Sequence, residues 1–186
     1  MTKTNNGQNG EDWPVWATEA VHIEAYNPDW RAKGERETKR LAELLRPYGV
    51  REIEHMGSTS VPGLSAKPII DLMARIPDYG ELDSVIEALS AEDWHYVPPE
   101  LDGNEWRRFF VKVKSDKRQC HLHLMREDEE HWDRQIAFRD KLRRNPELAG
   151  AYDRLKQELA ERYQSDREAY TRAKSEFVQN VLETEQ

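Results

Sequence analysis

The densest run of residues suited to chemistry is Glu54 to Asp71, EHMGSTSVPGLSAKPIID. The alternating segment Val50 to Met56 runs into Gly57-Ser58-Thr59, a small-residue loop follows, and a hydrophobic segment then carries one acid, Asp71. Glycine lets a backbone approach a ligand closely, and loop N–H groups with Ser and Thr hydroxyls can cradle an anion such as phosphate. Lys67 ends the loop, where its ammonium would meet a phosphate or pair with Asp71 or Glu54. Asp71 is flanked by Ile69, Ile70, Leu72 and Met73. An ionised carboxylate there is costly without a cation or a hydrogen-bond donor, and a divalent metal is the natural cation. Glu54 and His55, on adjacent strand positions, face opposite sides. His55 suits a general base or a hydrogen bond that braces the loop.

A second cluster lies further on. In Cys120-His121-Leu122-His123-Leu124 the apolar residues take one strand face and both imidazoles the other, about 6–7 Å apart along the strand. Asp71, His121 and His123 together would make a set of two histidines and one carboxylate, better suited to Mn²⁺, Fe²⁺ or Zn²⁺ than to Mg²⁺. Hydrogen bonding of the histidines to their neighbours is the alternative. From Arg107 to Arg118 the sign of the chain reverses, with Arg107, Arg108, Lys112, Lys114, Lys117 and Arg118 against Asp116 alone. Such a patch suits a polyphosphate or an acidic partner. Arg107 and Arg108, beside Trp106, are the ligand candidates, whereas Lys114, Lys117 and Arg118 fall at a hairpin tip where edge charge keeps a strand soluble.

The elements that must hold these residues follow from hydrophobic period and turn chemistry. Alternation marks strands at Val21–Tyr26, Val50–Met56, Ile69–Ile76, Trp94–Val97, Phe109–Lys114 and Arg118–Met125, the last two joined by Ser115-Asp116-Lys117. Helical spacing marks Asp29 to Pro47 and Pro77 to Leu89. After Glu127 glycine and proline nearly vanish, and Leu148, Tyr152, Leu155, Leu159 and Tyr163, then Tyr170, Ala173, Phe177 and Val181, recur as amphipathic stripes. Glu130/Arg134, Glu158/Arg162 and Glu168/Arg172 stand four apart with the acid first, each pair contributing roughly 0.2–0.5 kcal/mol. Residues 1–20 are expected to be a flexible arm and 21–186 one domain, a sheet core over about 21–126 and a helical part over 127–186.

Composition bounds the function. The 186 residues carry a formal charge of −8 and are 37% hydrophobic, and no apolar run suits a membrane span or a secretory leader. A cytoplasmic chain is the expectation. The acidic balance argues against coating DNA, and the single Cys120 excludes an internal disulfide and a structural zinc cluster. No P-loop is present. No organic cofactor is indicated, and the sequence names no protein partner.

IEHMGSTSVPGLSAKPIIDLM, HLHLM and FRDKLRRNPELAGAYDRLK resemble the landmarks of the GrpB (glutamate-rich protein B) family, a branch of the nucleotidyltransferase superfamily. The resemblance runs from about Val21 to the C-terminus. It implies an α/β (α+β) nucleotidyltransferase-like mixed sheet with helices packed on it and a helical C-terminal extension. It also implies a nucleotide or other phosphorylated small molecule held with a divalent metal (Mn, Mg or Zn). Gly57, Ser58, Thr59, Lys67, Arg107 and Arg108 would bind phosphate or nucleotide, and Asp71 would be the catalytic metal ligand. Met73 stands where the superfamily places a second acid, and a thioether is a poor ligand for a hard cation. His121 and His123, on the expected counterpart of the strand bearing the third acid, are the possible compensation. Two functions remain open: metal-dependent nucleotidyl transfer, or a non-catalytic phosphate-ligand or partner module. Because some relatives are fused to dephospho-CoA kinase, the second would support coenzyme A metabolism.

Overall fold

The computed structural model describes residues 14–19, 22–163 and 166–183. Helix α1 (Asp29–Leu45) opens where the Asn27 side chain accepts from the Asp29 N–H at 2.9 Å, and its stripe of Trp30, Leu41 and Leu45 is buried. Pro47 and the left-handed Gly49 (φ 84°) end the segment. Strands β1 (Glu52–Met56) and β2 (Ile70–Ile76) follow, then α2 (Leu82–Ser90), β3 (Trp94–Val97), the short α3 (Pro99–Asp102), β4 (Arg108–Lys114) and β5 (Lys117–Arg126). Four further helices complete the chain: α4 (His131–Arg144), α5 (Pro146–Arg162), α6 (Arg167–Ala173) and α7 (Ser175–Glu183).

The strands form one mixed sheet in the order β1-β2-β5-β4-β3, with β2 and β5 parallel and the other neighbours antiparallel. This is the mixed sheet with packed helices that the sequence led us to expect. A parallel pair needs a crossover, here supplied by the segment from α2 through β4. The β4–β5 connection is tighter than expected. Ser115 (φ 52°) and Asp116 (φ 56°) alone make the turn, and Lys117 already pairs with Lys114. Two successive positive φ values give the turn the twist that a two-residue hairpin requires.

Alternation along β2 and β5 divides the sheet into two faces. Leu72, Ala74, Leu122, Leu124 and Phe110 belong to the main core with Trp30, Leu41, Val85 and Leu89. The opposite face carries a smaller cluster of Met56, Met73, Met125 and Trp132, so helices cover both sides. The expected strand at Val21–Tyr26 does not join the sheet. Positions 20–21 lie outside the described residues, and beyond them Glu24 makes one isolated bridge, to Ala66. Alternation does not say which segment a strand will meet: Glu24 bridges Ala66 in the β1–β2 loop rather than a strand of the sheet. Of the expected arm, residues 1–13 lie outside the described residues, while Val15–Thr18 forms a short 3₁₀ turn whose Trp16 and Ala17 carbonyls accept from Arg118. Among the described residues no helix is long and apolar enough to cross a membrane.

The C-terminal helices clamp the loop between β1 and β2. Val61 and Leu64 pack with Phe138, Leu142, Tyr152 and Val181. The Ser65 N–H donates to Asp153 at 3.0 Å, the buried Lys156 ammonium donates to the Ser65 carbonyl, and Arg143 donates to the Ser60 carbonyl at 3.0 and 2.8 Å. Arg139, buried, donates to Glu54 at 2.7 Å and to the His55 carbonyl at 3.0 Å, the ion pair that ties α4 to the sheet. Of the helical charge pairs, Arg134 instead reaches Gln179 at 2.7 Å, and the Glu168 side chain lies outside the described residues.

Candidate metal and phosphate site

Parallel pairing sets Asp71 beside His121 and Met73 beside His123. Side chains at paired positions share a face, so one carboxylate and two imidazoles meet above β2 and β5. The His121 Nδ1–H donates to Asp71 Oδ1 at 2.9 Å, and His123 Nε2 faces the same oxygen at 3.9 Å. One donor atom from each residue lies within 4.8 Å of the others. Burial opposes ionisation of Asp71, but the hydrogen bond from His121 and the charge of His121 and His123 prevail and hold its carboxyl far below the usual carboxylate range. The side chain remains about a third exposed, at 31%, so a ligand can reach it.

Gly57 forms the other wall. It adopts φ 71°, and a β-carbon there would stand 2.6 Å from Asp71 Oδ2. The glycine is therefore required by the acid as well as by the turn. Ser58 follows at the start of a 3₁₀ turn, and the buried Tyr152 phenol of α5 belongs to the cluster that packs with Val61 and Leu64 of the same loop. Burial pushes that phenol up, and the field of Asp71 adds to it.

Arg107 reaches the site and Arg108 does not. Asp102 accepts two hydrogen bonds from the Arg107 guanidinium, at 2.8 and 2.7 Å, and another Arg107 N–H donates to His123 Nδ1. The guanidinium lies 4.3 Å from the Phe109 ring centroid and 4.9 Å from that of Trp106. Burial first, then the Arg107 charge, lowers His123 to about 4. Arg108 takes the opposite face, over the Tyr79 ring at 4.2 Å, because strand neighbours alternate. The basic segment is thus largely tied up in structure: Lys112 pairs with Glu37 at 2.9 Å and Arg118 holds the Trp16 and Ala17 carbonyls.

Thr59 is buried and its hydroxyl meets His55 Nε2 at 2.9 Å, so its side chain braces the turn. His55 has the bracing role rather than that of a base; it lies under α1, where a β-carbon on Gly34 would come within 2.3 Å of its ring. Burial foremost lowers His55 to about 4. Lys67 places its ammonium 4.3 Å from the Tyr170 ring centroid. Cys120 is buried and its thiol is pushed up to about 12, which removes it as a nucleophile. Tyr152 and Tyr170 read from the sequence only as members of amphipathic helical stripes.

Asp71, His121 and His123 fit a divalent ion in donor type. The buried His123 Nε2 has no hydrogen-bond partner, and one carboxylate with two imidazoles suits Mn²⁺, Fe²⁺ or Zn²⁺. Both rings turn protons toward Asp71. His121 does so through Nδ1–H, and His123 because Nδ1 accepts from Arg107 and leaves the ring proton on Nε2. A metal would replace those protons. Met73, fully buried with Met56, Met125 and Trp132, offers no carboxylate at the fourth corner.

The model of the family described as GrpB protein matches residues 20–184. A UPF0157 protein of Pseudomonas aeruginosa is 37% identical over 179 residues, covering 93% of this chain and 71% of its own. The crystal structure of conserved protein GrpB from Enterococcus faecalis aligns with a TM-score of 0.77 at 30% identity, over 87% of this chain and 94% of that one. Among nucleotidyltransferases, the Cid1 poly(U) polymerase aligns with a TM-score of 0.47 at 15% identity, over 75% of this chain and 44% of its own.

Proposed function

The chain belongs to the GrpB family, and we propose that it binds a phosphorylated small molecule, with a nucleotide as the first candidate, together with one divalent metal. Asp71, His121 and His123 would hold the ion, and the Gly57-Ser58 turn would receive the phosphate. The observation that carries this reading is the convergence of His121 Nδ1 and His123 Nε2 on one oxygen of Asp71, at 2.9 and 3.9 Å. Three groups from two parallel strands, at the foot of a turn whose glycine is shaped by that same acid, are hard to explain as packing alone. When bound, the ion would supply charge neutralisation at a phosphoryl oxygen. The chain's own groups would orient the ligand: Ser58 on the phosphate side, and Arg107, fixed by Asp102, beside His123.

Met73 favours the binding reading over nucleotidyl transfer. It is fully buried among apolar side chains, and Asp71 is left as the single carboxylate among the clustered donors. The paired-metal clamp of phosphoryl transfer needs bridging acids that this arrangement does not supply.

Thermal melting with Mn²⁺, Zn²⁺ or Mg²⁺, each with and without nucleoside triphosphate, tests the proposal on wild type and Asp71→Asn. A metal-dependent rise in Tm that Asp71→Asn abolishes is expected. Equal curves for both proteins would overturn the metal site. Pyrophosphate release then separates transfer from binding.

A further inference from the structure

One aromatic ring touches both histidines of the candidate metal site, and no role above uses it. Phe109 of β4 pairs with His123 of β5 in the antiparallel register, so the two side chains share a face. His121 is then the diagonal neighbour, within reach of an aromatic side chain. The Phe109 ring lies almost equally near both imidazoles, 5.1 Å from the His121 centroid at 63° and 5.3 Å from the His123 centroid at 59°. These are contact distances for tilted aromatic pairs. Phe109 is only 9% exposed, and the Arg107 guanidinium stands 4.3 Å from its centroid, so the ring has little room to turn. Trp106 flanks His123 as well, 6.3 Å away and inclined by 18°, and is itself backed by His131 at 4.2 Å.

Strand register sets where each imidazole starts but leaves its side-chain torsions a choice of rotamers. The hydrogen bond that turns His121 toward Asp71 uses a proton that a metal would replace. Ligating histidines are usually oriented by a partner on the nitrogen that faces away from the ion. For His123 that partner is Arg107, a cation that can only donate. Contact with Phe109 differs in kind, because both imidazoles share it and it involves no proton. It survives the exchange of ring protons for an ion.

We propose that Phe109 is a positioning residue for the metal site: its rigid ring, set against His121 and His123 together, fixes their tilt and spacing so that both aim at Asp71. The inference rests on the metal reading and deepens it, by assigning the ligand geometry to an apolar residue of the neighbouring strand.

The test compares full-length wild type, Asp71→Asn, Phe109→Leu, Phe109→Met and Phe110→Leu. Visible absorption of bound Co²⁺ reports coordination geometry, and calorimetry reports Zn²⁺ affinity. Phe110 is the control: it follows Phe109 on β4 but is fully buried in the main core on the opposite face, so loss of its ring should lower Tm without reaching the site. Wild type should take up Co²⁺ with one defined spectrum, and Asp71→Asn should lose it. Phe109→Leu should bind Zn²⁺ about tenfold or more weakly and shift or broaden the Co²⁺ bands, the scale expected for groups that orient ligating histidines. Phe109→Met, which keeps bulk but not rigidity, should do the same. Phe110→Leu should keep the wild-type spectrum and affinity. Circular dichroism checks that each variant is folded. A wild-type spectrum and affinity in either folded Phe109 variant, or equal changes in Phe110→Leu, would overturn the positioning role while leaving the metal reading in place. Failure of the metal reading is separately visible, as the absence of any Co²⁺ or Zn²⁺ uptake that depends on Asp71, and it would overturn this inference too.

Discussion

The backbone of Gly57 presses against the carboxylate of Asp71 so closely that a β-carbon would stand 2.6 Å from Oδ2. The pairing of Met56 with Asp71 at the end of β1 and β2 fixes this approach, because the chain turns away immediately beyond the last paired residue. Gly57→Ala therefore meets two penalties, a positive φ and a clash with the acid. A loss of roughly 2–3 kcal/mol is expected from urea unfolding. In an Asp71→Ala background the clash term disappears, so the same substitution should cost about 1 kcal/mol less. Equal costs in the two backgrounds would mean that turn strain alone holds the glycine in place.

Arg107 and a metal compete for His123. While the guanidinium donates to Nδ1, the ring proton stays on Nε2, and the positive charge stands beside the ion's place. Removing Arg107 alone would strand Asp102, whose side chain is only 7% exposed, so the informative variant is Arg107→Met with Asp102→Asn. Mn²⁺ or Zn²⁺ binding measured by calorimetry is expected to tighten by about ten- to a hundredfold in the double variant, the scale of changes around ligating histidines. Weaker binding would show instead that Arg107 orients the ring for ligation.

How far the residues disclosed this arrangement depends on the kind of signal. Strands β1, β2, β4 and β5 were legible because each alternates and each has a partner on at least one side. The false strand at Val21–Tyr26 shows the limit of that signal, since alternation does not say what the segment will pair with, and here Glu24 meets the β1–β2 loop at Ala66. Asp71, His121 and His123 were legible as a group because a strand fixes which side chains share a face, and parallel register then brought them level. Arg108 and Thr59 show what spacing leaves out. Arg108 lies one residue from Arg107 and so falls on the other face, and the Thr59 hydroxyl is claimed by a histidine four residues earlier. The place of Lys67 against Tyr170 was not legible, because it arises from helix packing over a separation of more than a hundred residues.

His55 makes stability depend on acid. Its folded value, lowered mainly by burial, is about 4 against an ordinary 6.5, so the unfolded chain binds the proton more readily between those values. The stabilisation from keeping this ring neutral is complete above about pH 6.5, falls as pH drops toward 4, and changes no further below it. His123 is lowered to the same value and adds to the slope. Tm measured from pH 7.5 to 4 should fall through this window, and His55→Gln should reduce the slope while retaining a partner for Thr59. An unchanged slope in His55→Gln would place the acid sensitivity elsewhere.

Met73 decides whether the site has a hidden fourth ligand. Its side chain is fully buried against Met56, Met125 and Trp132 and shares a face with Asp71. If its environment is purely apolar, Met73→Leu conserves volume and should cost less than about 1.5 kcal/mol, with the metal response unchanged. Met73→Asp places a carboxylate at the position the transfer mechanism would use, but in a pocket built for a thioether. Without metal it should destabilise the fold by several kcal/mol, about the penalty for an unpaired buried polar group or more. Mn²⁺ should recover part of that loss, because a second oxygen ligand joins Asp71 and the new charge gains a cation. The Mn²⁺-induced Tm shift should therefore be larger in Met73→Asp than in wild type. A smaller shift in Met73→Asp would mean that position 73 lies beyond ligating reach, and a reduced shift in Met73→Leu would make the thioether a ligand after all.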